Sequence, residues 1–227
     1  MTDVFDLNAV DTDGAIREAA EHVDAPTRAA FLRKAALGAG GLVAGSALIA
    51  PGTAFARSAK LDYRILNFAL TLEYLEAAFY KQAVDNGKLT GPVLEFAKLV
   101  ATHERTHVSA LRGTLKRAKQ QPVASPKFDF GDTVNDQVKF LETSFALENE
   151  GVKAYLGQAG RLKSAAYLGV AATIVTTEAR HAAGVAVLLN RSPFTGSSSI
   201  TPKGAFDTSA NRSTVLKTVG KTGFIVK

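Results

Sequence analysis

The stretch Glu104-Arg105-Thr106-His107 recurs further along the chain as Glu178-Ala179-Arg180-His181. Residues three apart in a helix share a face, so each copy points a carboxylate and an imidazole in one direction. With ten Glu and four His in 227 residues, chance gives about 0.2 such motifs. One copy alone reads as an exposed helical pair or a satisfied core histidine. Two copies direct attention upstream, where each has a matching element. Leu72-Glu73 is followed by Tyr80, seven residues after the Glu, and Leu147-Glu148 is followed by Tyr155 at the same interval. Seven residues is close to two helical turns, so each Tyr shares a stripe with its Glu. Glu73 to Glu104 is 31 residues and Glu148 to Glu178 is 30. Core packing alone does not account for this near-equality. It implies two helix hairpins related by a pseudo-twofold axis, with the acids and imidazoles meeting at its centre.

The surrounding periodicity supplies the helices. Leu61, Ile65, Leu66, Phe68, Ala69, Leu72, Leu75, Phe79 and Val84 recur at three and four residues, predicting a first helix of about seven turns that stops at Asp85-Asn86-Gly87. Thr90-Gly91-Pro92 opens a second helix over 93–121, which Pro122 and Pro126 prevent from continuing. Asp132 or Thr133 caps a third, carrying Val138, Leu141, Phe145, Leu147, Val152 and Tyr155 and weakened at its end by Gly157 and Gly160. A fourth spans 162–190. The linker between the second and third, ten or eleven residues, reaches at most roughly 35 Å, enough to run along a bundle and start the third helix parallel to the second. The expected architecture is an all-α four-helix bundle over 57–190 with a long crossover in its middle. Residues 191–227 hold no regular fifth helix in this reading and form an irregular extension packed on the bundle.

Composition narrows the chemistry. There are no cysteines, which excludes disulfides, iron–sulfur clusters and thiolate zinc sites and leaves His and carboxylates as the strong ligands. The net charge is +6, yet residues 1–56 carry four basic and seven acidic side chains, leaving 23 basic against 14 acidic beyond them. These basic residues are spread along the helices and tail without interleaved aromatics, a pattern of general solvation, and no nucleic-acid partner is expected.

The first 56 residues read as a leader. An acidic, aperiodic stretch over 1–26 precedes Thr27-Arg28-Ala29-Ala30-Phe31-Leu32-Arg33-Lys34, then an uncharged small-residue run from Ala35 to Ala50, then Thr53-Ala54-Phe55-Ala56 with its Ala-x-Ala. That is the grammar of a signal peptide cleaved after Ala56, with an uncleaved amphipathic anchor as the alternative. Arg28 and Phe31-Leu32-Arg33 resemble a twin-arginine signal with Ala29 in the place of the second Arg, so the twin-arginine and general secretory routes both stay open. Export to a bacterial periplasm, cell envelope or exterior is the expectation, with no stable membrane span after cleavage.

Glu73, Glu104, His107, Glu148, Glu178 and His181 together form a set of four carboxylates and two imidazoles that suits two ions of iron, with manganese or mixed metals as the alternative. Glu104 and Glu178 are expected to bridge, Glu73 and Glu148 to hold one ion each, and Tyr80 and Tyr155 to orient carboxylates by hydrogen bonds. Glu76, one turn from Glu73, could supplement the set. Glu150 is expected to face solvent, and His103 to lie at the surface, with an extra ligand as the alternative.

Residues 60–190 resemble a ferritin-like di-iron carboxylate protein. The run Leu66-Asn67-Phe68-Ala69-Leu70-Thr71-Leu72-Glu73-Tyr74-Leu75-Glu76 is similar to the bacterial ferritin-like family related to plant desiccation-associated proteins. The resemblance implies a di-metal bundle whose relatives include iron-storing oxidases, peroxide reducers, manganese catalases and proteins of unassigned role. Two readings follow. One is an oxidoreductase of the ferroxidase or peroxidase type, with oxygen or peroxide as its small-molecule substrate, serving oxidative-stress protection. The other is a non-catalytic stress- or desiccation-related protein that the metals stabilise. A cage-forming store is disfavoured without a short fifth helix, and a homodimer stays open.

Overall fold

The computed structural model describes residues 51–192 and 206–226, with side chains from residue 59 onward. The acidic stretch 1–26, the basic n-region and the apolar run up to Ala50 lie outside the described residues. Four long helices form the bundle: α1 (Pro51–Asp85), α2 (Gly91–Arg117), α3 (Gln137–Ala159) and α4 (Ala165–Leu188). α1 starts ten residues before Leu61, because nothing between Pro51 and Lys60 breaks a helix and Pro is well suited to a first turn. Thr53-Ala54-Phe55-Ala56 therefore lies in its opening turns. None of the described helices is long and apolar enough to cross a membrane.

Boundaries follow local chemistry. α1 ends where Gly87 takes a φ of +64° and Asn86 N–H bonds back to the Gln82 carbonyl at 3.0 Å. α3 is capped by Asp136, whose carboxylate accepts from Lys139 N–H at 2.8 Å. The cap expected at Asp132 or Thr133 is instead spent on a 3₁₀ turn, Gly131–Val134, which seats Val134 in the core. Ser164 caps α4.

Three contacts set the connection plan. Asn86 bonds Asn135 at 2.8 Å and Thr90 N–H donates to Gln137 Oε1 at 3.0 Å, placing the start of α3 beside the α1–α2 turn. At the other end, buried Asp62 of α1 accepts from the backbone N–H groups of Lys163 and Ser164 at 2.8 and 2.9 Å, fixing the α3–α4 turn. α3 thus runs antiparallel to α1 and parallel to α2, as the long crossover requires. The crossover climbs along α1, where Val123 N–H donates to Asn67 Oδ1 at 2.6 Å.

Two apolar clusters fill the bundle, one on each side of its middle. Phe79 stacks on Phe140 and meets Phe130 edge-on in the first. Leu66, Leu70, Leu111, Leu115 and Ile174 form the second. On α2 and α4 the Glu-x-x-His motifs fall between the two clusters, so the polar residues make one layer enclosed by hydrocarbon.

The C-terminal extension contains a fifth helix, α5 (Arg212–Thr222), followed by a short strand, β2 (Ile225–Val226), that pairs antiparallel with β1 (Lys127–Phe128) of the crossover. This corrects the expectation of an irregular tail. Its signals are short: Asn211 caps the helix by accepting from Thr214 N–H at 3.0 Å, and Val215 and Val219, four apart, bury their side chains in the first cluster. The segment leading into α5 lies flat on α3, with Ala210 N–H donating to the Lys153 carbonyl at 2.9 Å. A Cβ at Gly157 would stand 1.8 Å from the Ala210 carbonyl oxygen. Gly157→Ala is therefore expected to lift the extension off α3 and cost about 1 to 3 kcal/mol in urea unfolding. Gly169→Ala, with nothing within 4 Å of the new methyl, is expected to stabilise α4 by about 0.5 to 1 kcal/mol in the same assay.

Candidate metal centre

Helix geometry brings all six expected residues into the central layer. Glu73, Glu104, Glu148 and Glu178 have no exposed surface, and His107 and His181 are buried beside them. Glu76 is buried too, at 3% exposure, so five carboxylates share a hydrocarbon-walled space. Among the described residues no Lys or Arg pairs with any of them; His107 and His181 are the cationic partners of all but Glu76. Two imidazoles cannot neutralise five carboxylates, and an unpaired buried charge is among the costliest features a fold can hold.

The donor atoms converge more closely than hydrogen bonding explains. His107 Nδ1 lies 3.1 Å from Glu73 Oε2, 3.2 Å from Glu104 Oε2 and 3.1 Å from Glu178 Oε1. His181 Nδ1 lies 3.2 Å from both Glu104 Oε1 and Glu148 Oε2. A ring nitrogen carries at most one proton, so these oxygens cannot all be satisfied by it. Glu104 Oε1 and both oxygens of Glu178 are left buried without a hydrogen bond of acceptable geometry. Separations near 3 Å are those of neighbouring ligands around one ion bound at about 2.1 Å. The atoms sort into two sets, Glu73, Glu104, His107 and Glu178, and Glu104, Glu148, Glu178 and His181, each within 4.8 Å of one another. The sets share Glu104 and Glu178. Orphaned oxygens and an all-oxygen-and-imidazole donor set make a site able to hold metal ions.

The tyrosines reach across the bundle. Tyr155 of α3 donates to Glu73 Oε1 of α1, and Tyr80 of α1 donates to Glu148 Oε1 of α3 at 2.5 Å while also meeting Ser144. Each Tyr thus restrains the other hairpin's Glu, leaving Oε2 of each carboxylate turned toward a His. Shared stripes along one helix suggest same-hairpin pairs; the antiparallel placement of α1 and α3 exchanges them. Burial pushes both phenols well above their ordinary range, so they remain donors.

Burial also raises Glu76 and Glu178 far above the usual carboxylate range, with the neighbouring acids adding to it. Burial raises Glu73 to about 7. Burial disfavours charge on His107 as well, but the carboxylates of Glu104, Glu178 and Glu73 crowded against its Nδ1 overcome it and hold His107 at about 12; Glu104 and Glu148 hold His181 at about 10 in the same way. Protons take the place of counter-ions here.

Two residues expected at the surface are half-buried beside the central layer. His103 Nδ1 sits 2.9 Å from His181 Nε2, with the two ring planes 18° from parallel and their centroids 5.2 Å apart, an edge-to-edge arrangement. Its spacing of four from His107 carries the signal, since such residues share a face. Burial and the adjacent imidazoles push it below its ordinary value. Glu150, 12% exposed in its side chain, lies 3.7 Å from Lys153 Nζ and lines a small cavity with Glu76, Gly151 and Val219 of α5. On the opposite side, α2 and α4 leave an open groove of about 480 Å³ whose floor holds His103, His107 and His181. Phe96, Leu99 and Val100 wall it.

The crystal structure of a conserved hypothetical protein from Mycobacterium tuberculosis superposes with a TM-score of 0.51 at 19% identity, covering 61% of this chain and 97% of that one. That likeness is one of fold. A search of curated protein sequences gave no significant match. The ferritin-like domain matches residues 61–191, more than half of the chain and the span that contains all six clustered side chains. Helices, crossover and clustered acids agree with that match, and the chain belongs to the ferritin-like domain family.

Proposed function

We propose that the bundle holds two divalent ions, iron foremost and manganese as the alternative, and serves ferrous oxidation or the removal of oxygen or peroxide. The observation carrying this reading is the excess of buried carboxylates over imidazoles, with orphaned oxygens on Glu104 and Glu178. Those two residues, common to both donor sets, would bridge; Glu73 with His107 and Glu148 with His181 would complete one position each. Bound iron supplies reversible one-electron chemistry and Lewis acidity. The protein's part is to hold the ligands still. Tyr155 and Tyr80 pin one oxygen of Glu73 and Glu148, the two apolar clusters exclude bulk water, and the α2–α4 groove admits small molecules to the imidazole side. The same charge excess favours a second reading, in which the metals chiefly stabilise the fold of a protective protein.

Metal content and reactivity separate the readings. The purified chain is expected to take up close to two ferrous ions and to oxidise them with measurable consumption of oxygen or peroxide. Glu104→Ala or Glu178→Ala should abolish both. Two tightly held ions with no consumption would favour the stabilising role, and an intact bundle that takes up none would sink the proposal. Tyr155→Phe or Tyr80→Phe should weaken binding by about 10- to 100-fold, read by metal titration.

Proton linkage gives an independent check. Glu73 rises from 4.5 to about 7, and the imidazoles from 6.5 to about 12 and 10. Each raised group binds more protons folded than unfolded, so its contribution is present below the unfolded value and is lost as pH rises toward the folded one. The metal-free protein should therefore melt at a lower temperature at pH 8 than at pH 6. Metal uptake displaces those protons, so saturating manganese should raise the melting temperature more at pH 8 than at pH 6, with proton release visible as a buffer dependence of the binding heat.

A further inference from the structure

The central layer is close to twofold symmetric, and His103 breaks the symmetry. Glu73, Tyr155 and His107 on one side mirror Glu148, Tyr80 and His181 on the other. The position on α4 equivalent to His103 is Thr177, four residues before His181. Thr177 commits its hydroxyl to the Thr173 carbonyl at 3.2 Å. Among the described residues, nothing hydrogen-bonds the outer nitrogen of His107. The outer nitrogen of His181, by contrast, is 2.9 Å from His103 Nδ1, and the two rings lie 18° from parallel.

We propose that His103 is a positioning residue: it fixes the His181 imidazole so that Nδ1 faces the carboxylates and Nε2–H is donated to His103, which makes the two metal positions unequal. The proposal rests on the reading of His181 as a metal ligand. A neutral imidazole has one lone pair and one N–H. If Nδ1 presents its lone pair toward Glu104 and Glu148, the proton must sit on Nε2, and His103 Nδ1 is the acceptor within reach. His103 then carries its own proton on Nε2. An acceptor on the outer N–H also raises the basicity of the inner nitrogen, an effect that His107 lacks. The ion held by Glu148 and His181 is therefore bound by a better oriented and more basic donor than the ion held by Glu73 and His107.

Cobalt(II), followed by its visible absorption, tests this on the metal-stripped full chain. His103→Ala should weaken one of two equivalents by about 10- to 100-fold and leave the other unchanged. His103→Gln, whose amide oxygen can accept the same proton, should recover most of that loss. In the zinc-loaded, ¹⁵N-histidine-labelled protein, the Nε2–H signal of His181 should be protected from exchange in the wild type and in His103→Gln, and lost in His103→Ala. Unchanged titrations and an unchanged signal in His103→Ala would overturn the positioning role while leaving the metal site intact. Equal weakening of both equivalents without rescue by Gln would also overturn it, reducing His103 to a packing residue. A wild-type chain that binds no cobalt would remove both this role and the metal reading beneath it.

Discussion

Five carboxylates enclosed by hydrocarbon and answered by two imidazoles are the constraint from which the rest of this structure follows. Such a layer survives folding only if protons or cations fill it. Each feature around it addresses the same demand. The Tyr80 and Tyr155 hydroxyls hold Glu148 and Glu73, one from each donor set. The apolar clusters above and below keep water from competing. The antiparallel placement of α1 and α3, fixed at opposite ends by Asn86 with Asn135 and by Asp62 with the α3–α4 turn, brings the Tyr of one hairpin to the Glu of the other.

Much of this was legible before any coordinates. The duplicated spacing from Glu73 through Tyr80 and Glu104, and again from Glu148 through Tyr155 and Glu178, is a long-range regularity that local propensity cannot imitate, and it pointed to hairpins sharing one centre. The crossover was readable from Pro122 and Pro126. Pairings between helices were not. That Tyr80 serves Glu148 depends on which helices run side by side, and a stripe on one helix carries no such information. The inward turn of His103 was half visible, because its spacing from His107 fixes a face but not what stands opposite. α5 escaped because its apolar signal is only Val215 and Val219 in an otherwise polar stretch, with burial decided by a groove that other elements make. Glu150 is partly covered for the same reason: Val219 of that helix closes the small cavity it lines.

The two sides of the layer differ in kind. Between α2 and α4 the imidazoles look out into a groove; between α1 and α3 the acids Glu76 and Glu150 look into a small cavity closed by Val219. A bundle with twofold-related acids and imidazoles thus has one front. Position on the front or back of the bundle, more than position in the repeat, distinguishes the otherwise matching halves.

The β1–β2 pairing and the seat of Ala210 on Gly157 also carry a consequence for biogenesis. All six clustered side chains have been synthesised once His181 leaves the ribosome, but the lid over the acidic back arrives only with residues 212–226. Helical bundles settle faster than a ribosome adds residues, and N-terminal parts fold first. During synthesis the nascent layer is open on both sides, and completion of the chain turns a two-sided cleft into a vessel with a single mouth. Any ion that entered before that moment would have two doors, and any that entered afterwards would have one.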